Sequence, residues 1–95
     1  MRILVVEDER QLARHITQAL TRHGHTATAH FDGISGLAAA VAHPPDLVVL
    51  DLNLPGLEGL SVLAGLREAS CPCRVLILTA RGDVQHRVKG LKAGG

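Results

Sequence analysis

The sequence predicts an α/β fold in which a parallel sheet carries helices on both faces. Short apolar runs alternate with segments whose apolar residues recur at helical spacing. Such alternation predicts parallel strands joined by right-handed crossovers. The runs at residues 3–6, 47–50 and 75–78 are almost purely aliphatic, which is typical of strands buried on both faces of a sheet.

The first half of the chain predicts two strands, each followed by a helix. After the strand at residues 3–6, a helix ends at Gly24, a residue type that favours helix C-termini. Its apolar face consists of Leu12, Ile16, Ala19 and Leu20. A short edge strand at residues 26–29 precedes a second helix, which Asp32 can cap and which the prolines at 44–45 close. Its predicted inward-facing residues are Ile34, Leu37, Ala38 and Val41.

The second half repeats this alternation. The strand at residues 47–50 is followed by a third helix that carries Leu60, Leu63 and Leu66. After the strand at 75–78, a fourth helix opens at Gly82 or Asp83. Its apolar residues at helical spacing are Val84, Val88 and Leu91.

Composition limits the function classes. The chain has 95 residues, of which 46% are hydrophobic, so one domain with an aliphatic core is expected around the single aromatic residue, Phe31. Ten basic and nine acidic residues leave a net charge of +1, which argues against a nucleic-acid or membrane surface. The N-terminal apolar run is too short for a signal peptide, and we expect a cytoplasmic protein. Cys71 and Cys73 lie too close for a Cys-x-x-Cys motif, so reduced thiols in a loop are expected.

Three predicted strands deliver polar side chains to one edge of the sheet. Asp8, Asp51 and Thr79 each follow an aliphatic run closely, and ligands of parallel sheets bind beyond the carboxyl ends of the strands. Clustered carboxylates there need compensation, for which a hard divalent cation such as Mg²⁺ is suited. Asp8 and Asp51 can each give it an oxygen, while Glu7 either contributes through a water or points away.

A carboxylate beside Mg²⁺ can also act as a nucleophile and form an aspartyl phosphate. Burial of a carboxylate directly after four aliphatic residues costs free energy, which indicates that Asp51 has a function. This position favours Asp51 as the nucleophile. Thr79 could donate a hydrogen bond to an oxygen of the transferred group.

With these residues the chain resembles the receiver domain of bacterial two-component response regulators. The matching segments are residues 3–9, 46–56 and 75–81, with 32–33 and 90–94 in further agreement. The resemblance implies a flavodoxin-like, doubly wound sheet of order 2-1-3-4. It also implies a phosphoacceptor signalling domain, rather than an enzyme, that receives its phosphoryl group from a sensor histidine kinase.

The resemblance also implies a role for each site residue. Asp51 is the phosphoacceptor and Asp8 the direct Mg²⁺ ligand, with Glu7 as the second member of the acidic pair. Asn53 gives its backbone carbonyl to the metal. Thr79 is the switch hydroxyl, and Ala80 is the small residue that leaves room for the phosphoryl group. The loop at 54–56 is most like regulators of the OmpR/PhoB type, which bind DNA through a C-terminal winged-helix domain not contained in this sequence.

The family pattern continues beyond Gly95, with a fifth strand that ends in a lysine and a fifth helix. Here the lysines, Lys89 and Lys92, fall in the predicted fourth helix. We therefore expect residues 1–95 to form a receiver domain that is incomplete at its C-terminus. Because the fourth strand would then be an edge with unpaired backbone groups, we expect a marginally stable chain that self-associates, for example as a homodimer.

Two alternatives share part of this pattern. Phosphatases of the haloacid dehalogenase kind also use a strand-end aspartate and Mg²⁺, but they need a second acid two residues on, where this chain has Asn53. The other alternative is an interaction module that is not phosphorylated. The missing lysine favours it for this chain, whereas Asp8, Asp51 and Thr79 favour phosphorylation of the parent protein.

Overall fold

Four parallel strands form one sheet in the order β2-β1-β3-β4, which confirms the predicted fold. The structure is a computed structural model and describes residues 1–54 and 57–78. The strands are β1 (Arg2–Val6), β2 (Thr26–His30), β3 (Leu47–Asp51) and β4 (Arg74–Leu78). The helices are α1 (Arg10–Arg22), α2 (Gly33–Ala42) and α3 (Gly59–Glu68). The predicted fourth helix lies outside the described residues.

The two central strands are buried because helices cover both faces of the sheet. Side chains alternate along each strand, so Ile3 and Val5 of β1 face one side, where they pack with Ile16 and Leu20 of α1. Leu4 and Val6 face the other side and join the larger core with α2 and α3. The edge strands are less buried, and Leu76 of β4 is 50% exposed.

The first helix ends as its sequence predicts. Gly24 has a φ of +87°, a conformation that glycine adopts without strain. Its N–H donates to the carbonyl of Thr21, and the N–H of His25 donates to that of Leu20. This pair of bonds is a Schellman motif, which satisfies carbonyls that the helix end would leave unpaired.

The second helix is capped as predicted but faces the core differently. The Asp32 carboxylate accepts a hydrogen bond of 2.7 Å from the N–H of Ser35. The prediction of inward-facing Ile34, Ala38 and Val41 is wrong, because all three are exposed and only Leu37 of that set packs against the core. The buried positions are the small residues Gly33, Gly36 and Ala40.

Close approach of the backbone explains this orientation. A Cβ on Gly36 would lie 2.8 Å from a methyl carbon of Val6, so only glycine lets α2 pack this closely on β1. In α3, Val62, Leu63 and Leu66 are buried, whereas Leu60 is exposed. Among the described residues, no helix is both long and apolar enough to span a membrane.

Candidate functional site

Two adjacent strands bring three carboxyl groups together at the carboxyl edge of the sheet. Val6 is in register with Leu50, so Glu7 and Asp8 leave β1 beside Asp51, the last residue of β3. One carboxylate oxygen from each of the three lies within 4.8 Å of the others. The sequence thus predicted the edge and the meeting of Asp8 with Asp51 there. Glu7 lies within the cluster, so the alternative in which it points away is wrong.

Burial makes this cluster electrostatically costly. Glu7 and Asp51 are each only 3% exposed, whereas Asp8 is exposed. Carboxylates taken out of water lose hydration free energy, and like charges at this distance repel one another. The charge must therefore be offset by proton uptake or by a cation.

Glu7 shows the effect most clearly. Burial, chiefly, raises its pKa from 4.5 to about 7, and the neighbouring carboxyl groups of Asp51 and Asp8 add to the rise. The N–H of Glu9 donates a hydrogen bond of 3.0 Å to Glu7 Oε1. This bond lowers the pKa of Glu7 and so opposes part of the rise. Without a cation, Glu7 is therefore about half protonated near neutral pH.

The loop after Asp51 holds this carboxylate and folds tightly against α3. The N–H of Asn53 donates to Asp51 Oδ1 at 3.2 Å, and the N–H of Gly59 donates to the carbonyl of Leu52 at 3.2 Å. A Cβ on Gly59 would lie 2.5 Å from the carbonyl oxygen of Asp51. The start of α3 therefore fixes the backbone that carries Asp51.

The remaining predicted site residues are Thr79 and Ala80, which lie outside the described residues. The described part of β4 ends at Leu78, which is in register with Asp51.

The structure adds two residues that the sequence did not single out. Glu9 supplies the N–H that holds Glu7, and its own carboxylate caps α1 by accepting from the N–H groups of Gln11 and Leu12. An acid directly before a helical pattern could have indicated this cap. The second residue is Gly59, which lets α3 approach the backbone of Asp51. A glycine in the first turn of a helix could have indicated this close approach.

The donor set fits a hard divalent cation. Three carboxyl groups at one sheet edge offer oxygen ligands, and Mg²⁺ typically binds through one or two carboxylates while it keeps several waters. The exposure of Asp8 leaves one side of the cluster open to solvent. These residues can therefore hold such an ion and still admit a small anionic group.

Comparison with known proteins agrees with this geometry. The family model of the response regulator receiver domain matches residues 3–95. The transcriptional activator protein IrlR of Burkholderia pseudomallei is 48% identical over 95 residues, which cover 99% of this chain and 41% of IrlR. The probable transcriptional regulatory protein TcrX of Mycobacterium tuberculosis is 46% identical over 93 residues, which cover 98% of this chain and 40% of TcrX. The chain thus spans about two fifths of the length of these relatives.

Solved structures show the same fold. The receiver domain of the Francisella response regulator 1452 superposes with a TM-score of 0.90 at 31% identity, covering 99% of this chain and 78% of that one. The receiver domain of a putative Luxo repressor protein from Vibrio parahaemolyticus gives a TM-score of 0.91 at 30% identity, covering 99% of this chain and 72% of that one. The predicted family is confirmed, and the chain belongs to the response regulator receiver domains.

Proposed function

We propose that Asp51 accepts a phosphoryl group from the phosphohistidine of a sensor histidine kinase. One observation carries this proposal: Asp51 is a buried carboxylate at the end of a central strand, with Glu7 and Asp8 oxygens within 4.8 Å. A buried acid in an acidic cluster costs folding free energy, so its presence there indicates a functional task. Membership in the receiver family supplies that task.

The transfer exchanges one bond to phosphorus for another. An Asp51 carboxylate oxygen attacks the phosphorus atom, a P–O bond forms, the P–N bond to the kinase histidine breaks, and that ring nitrogen keeps the electron pair. The N–H of Asn53 on Asp51 Oδ1 orients the carboxylate for the attack. Because the other ring nitrogen of the phosphohistidine carries a proton, the histidine leaves as a neutral imidazole, and the product on Asp51 is an acyl phosphate.

We assign Mg²⁺ to the acidic cluster as the required cation. Asp8, Asp51 and the backbone carbonyl of Asn53 would hold it, with Glu7 acting indirectly. When bound, the ion offsets negative charge on the phosphoryl group. In the same proposal, Thr79 donates its hydroxyl to a phosphoryl oxygen as the switch residue, and Ala80 leaves room for the group.

The output follows from the relatives, which are named as transcriptional regulators. We propose that residues 1–95 are the receiver part of a cytoplasmic regulator of the OmpR/PhoB type. It would contact DNA only through a separate domain. Phosphorylation would shift the population of receiver conformations and so control that domain.

Self-association is a further part of this proposal. β4 pairs only with β3 among the described residues, and its Leu76 is half exposed. Such an edge can pair with a second copy. Sedimentation should show dimers or larger species, and a stable, cooperatively folding monomer would contradict self-association.

Phosphorylation of the chain by acetyl phosphate tests the central assignment. With Mg²⁺ present, the chain should gain one acid-stable, base-labile phosphoryl group, which intact-mass measurement detects. The variant Asp51→Asn should not gain it, because the amide cannot form an acyl phosphate. Glu68→Gln is the matched control, since it removes an exposed acid at the far end of α3.

The result also separates the proposal from the alternative of an unphosphorylated interaction module. Label that persists in Asp51→Asn would refute the choice of residue. A wild-type chain that gains no label from either acetyl phosphate or a cognate kinase would favour the interaction module.

A further inference from the structure

The connection between α3 and β4 contains two buried thiols in contact with each other. The sulfur atoms of Cys71 and Cys73 lie 3.1 Å apart, and both residues are buried and form no disulfide. The prediction of free thiols in a loop is confirmed, but their contact and burial were not predicted. The role of Asp51 does not involve this pair, since it lies at the opposite end of the strands.

The surrounding backbone holds both thiols on the same side of the chain. Nη1 of Arg67 donates to the carbonyl of Cys71 at 3.1 Å and to that of Cys73 at 2.9 Å. The N–H of Cys71 donates to the carbonyl of Leu66. Pro72, between the cysteines, restricts its own φ and favours an extended conformation at Cys71. Residues two apart in extended chain project to one side, so the sulfur contact follows from this backbone.

The distance between the two sulfur atoms suits a disulfide bond better than joint binding of one metal ion. Sulfur atoms of a disulfide are about 2.05 Å apart, so these two sulfur atoms need to approach each other by about 1 Å. Two thiolates on zinc, at about 2.3 Å from the ion, would be held nearly 4 Å apart. Among the described residues, no third His, Cys, Asp or Glu joins the pair as a ligand.

We propose that Cys71 and Cys73 form a reversible intramolecular disulfide by exchange with a low-molecular-weight disulfide. One thiolate attacks the small disulfide, forms a mixed disulfide and releases one small thiol. The second cysteine then attacks the protein sulfur of that mixed disulfide and releases the second small thiol. The cysteines lose two electrons and two protons in total, and the small disulfide gains them.

The chemistry of Cys73 agrees with this reaction. Burial, chiefly, and the neighbouring Cys71 raise the pKa of the Cys73 thiol to about 11. Cys73 is therefore held as the thiol, rather than the thiolate, at neutral pH. Exchange should therefore be slow at neutral pH and faster at higher pH, where more thiolate forms.

Equilibration of the chain with glutathione redox buffers tests the proposal. After acid quenching, intact mass should show a monomer lighter by two hydrogen atoms, without a glutathione adduct, and dithiothreitol should restore the thiols. The exchange constant should be at least about tenfold larger for the folded chain than for the chain unfolded in urea. Tenfold corresponds to about 1.4 kcal/mol of added stability for the oxidised fold.

Single variants identify the bond. Cys71→Ser and Cys73→Ser should each yield only a mixed disulfide with glutathione. Three results for the wild-type chain would overturn the proposal: stable glutathione adducts, disulfide-linked dimers, or thiols unchanged at the most oxidising ratio. An exchange constant in the folded chain no larger than in urea would also overturn it, because the fold would then contribute nothing.

Discussion

The buried carboxyl group of Glu7 predicts an unusual dependence of stability on pH. The pKa of Glu7 is about 7 in the folded chain, whereas its ordinary value is 4.5. Between pH 4.5 and about pH 7, the folded state therefore binds more protons than the unfolded state. Stability then falls as pH rises through this window. The contribution of Glu7 to the free energy of unfolding is fully present below pH 4.5 and is lost as the pH rises through about 7.

The size of this loss of stability follows from the rise in the pKa of Glu7. A rise in pKa from 4.5 to about 7 corresponds to about 3 kcal/mol for a side chain that is only 3% exposed. This is a large part of the roughly 5–15 kcal/mol that stabilises a domain. Asp32 does not interfere, because its pKa is lowered by the hydrogen bonds from Ser35 and its contribution is lost only at more acidic pH.

Urea denaturation without divalent cations, from about pH 5 to about pH 8, measures this dependence. The variant Glu7→Gln should be nearly independent of pH in this window, because the amide keeps the shape and does not titrate. Glu68→Gln should keep the slope of the wild-type chain. A wild-type curve parallel to that of Glu7→Gln would refute the reasoning.

Mg²⁺ should oppose the loss of stability at high pH. The ion competes with the proton for the cluster of Glu7, Asp8 and Asp51, so its affinity should rise up to about pH 7. At about a hundred times its dissociation constant, it should add about 2.7 kcal/mol to the free energy of unfolding. Equal stabilisation by Mg²⁺ at both ends of the pH window would contradict the link to Glu7.

The remaining predictions concern the backbone near the site. Gly59→Ala should lower stability by about 1–3 kcal/mol and slow labelling by acetyl phosphate, because its Cβ would press on the carbonyl of Asp51. Gly65→Ala in the same helix is its control and should leave labelling unchanged, since its Cβ meets only the flexible end of a leucine side chain. Asp32→Ala should cost about 1 kcal/mol in urea denaturation through loss of the cap on Ser35, and an unchanged midpoint would contradict this.

Much of the fold could be predicted because the central strands are aliphatic on both faces. Their carboxyl ends also carry the acids, so parallel pairing alone places Asp8 beside Asp51. The sequence therefore predicts the part of the site that strands alone position.

The orientation of α2 could not be predicted in this way. Its sequence is apolar on every side, so hydrophobic periodicity does not define a buried face. Packing selected the side with Gly33 and Gly36, because Gly36 lets the helix approach Val6 of β1 and Gly33 lets it approach Leu57 and Val62. The larger residues, Ile34 and Val41, were left exposed as a consequence.

The three acids of the cluster differ in their environments, and the differences argue for Asp51 as the nucleophile. The raised pKa of Glu7 favours its protonated form more than in an ordinary glutamate, and a protonated carboxyl group cannot attack phosphorus. Asp8 is exposed, so water solvates its charge and competes with any attack. Asp51 is buried and oriented by the N–H of Asn53, as Glu7 is by that of Glu9, and in addition its backbone is packed against Gly59. A fixed carboxylate with little hydration to lose meets the requirement for in-line attack at the lowest cost in reorganisation.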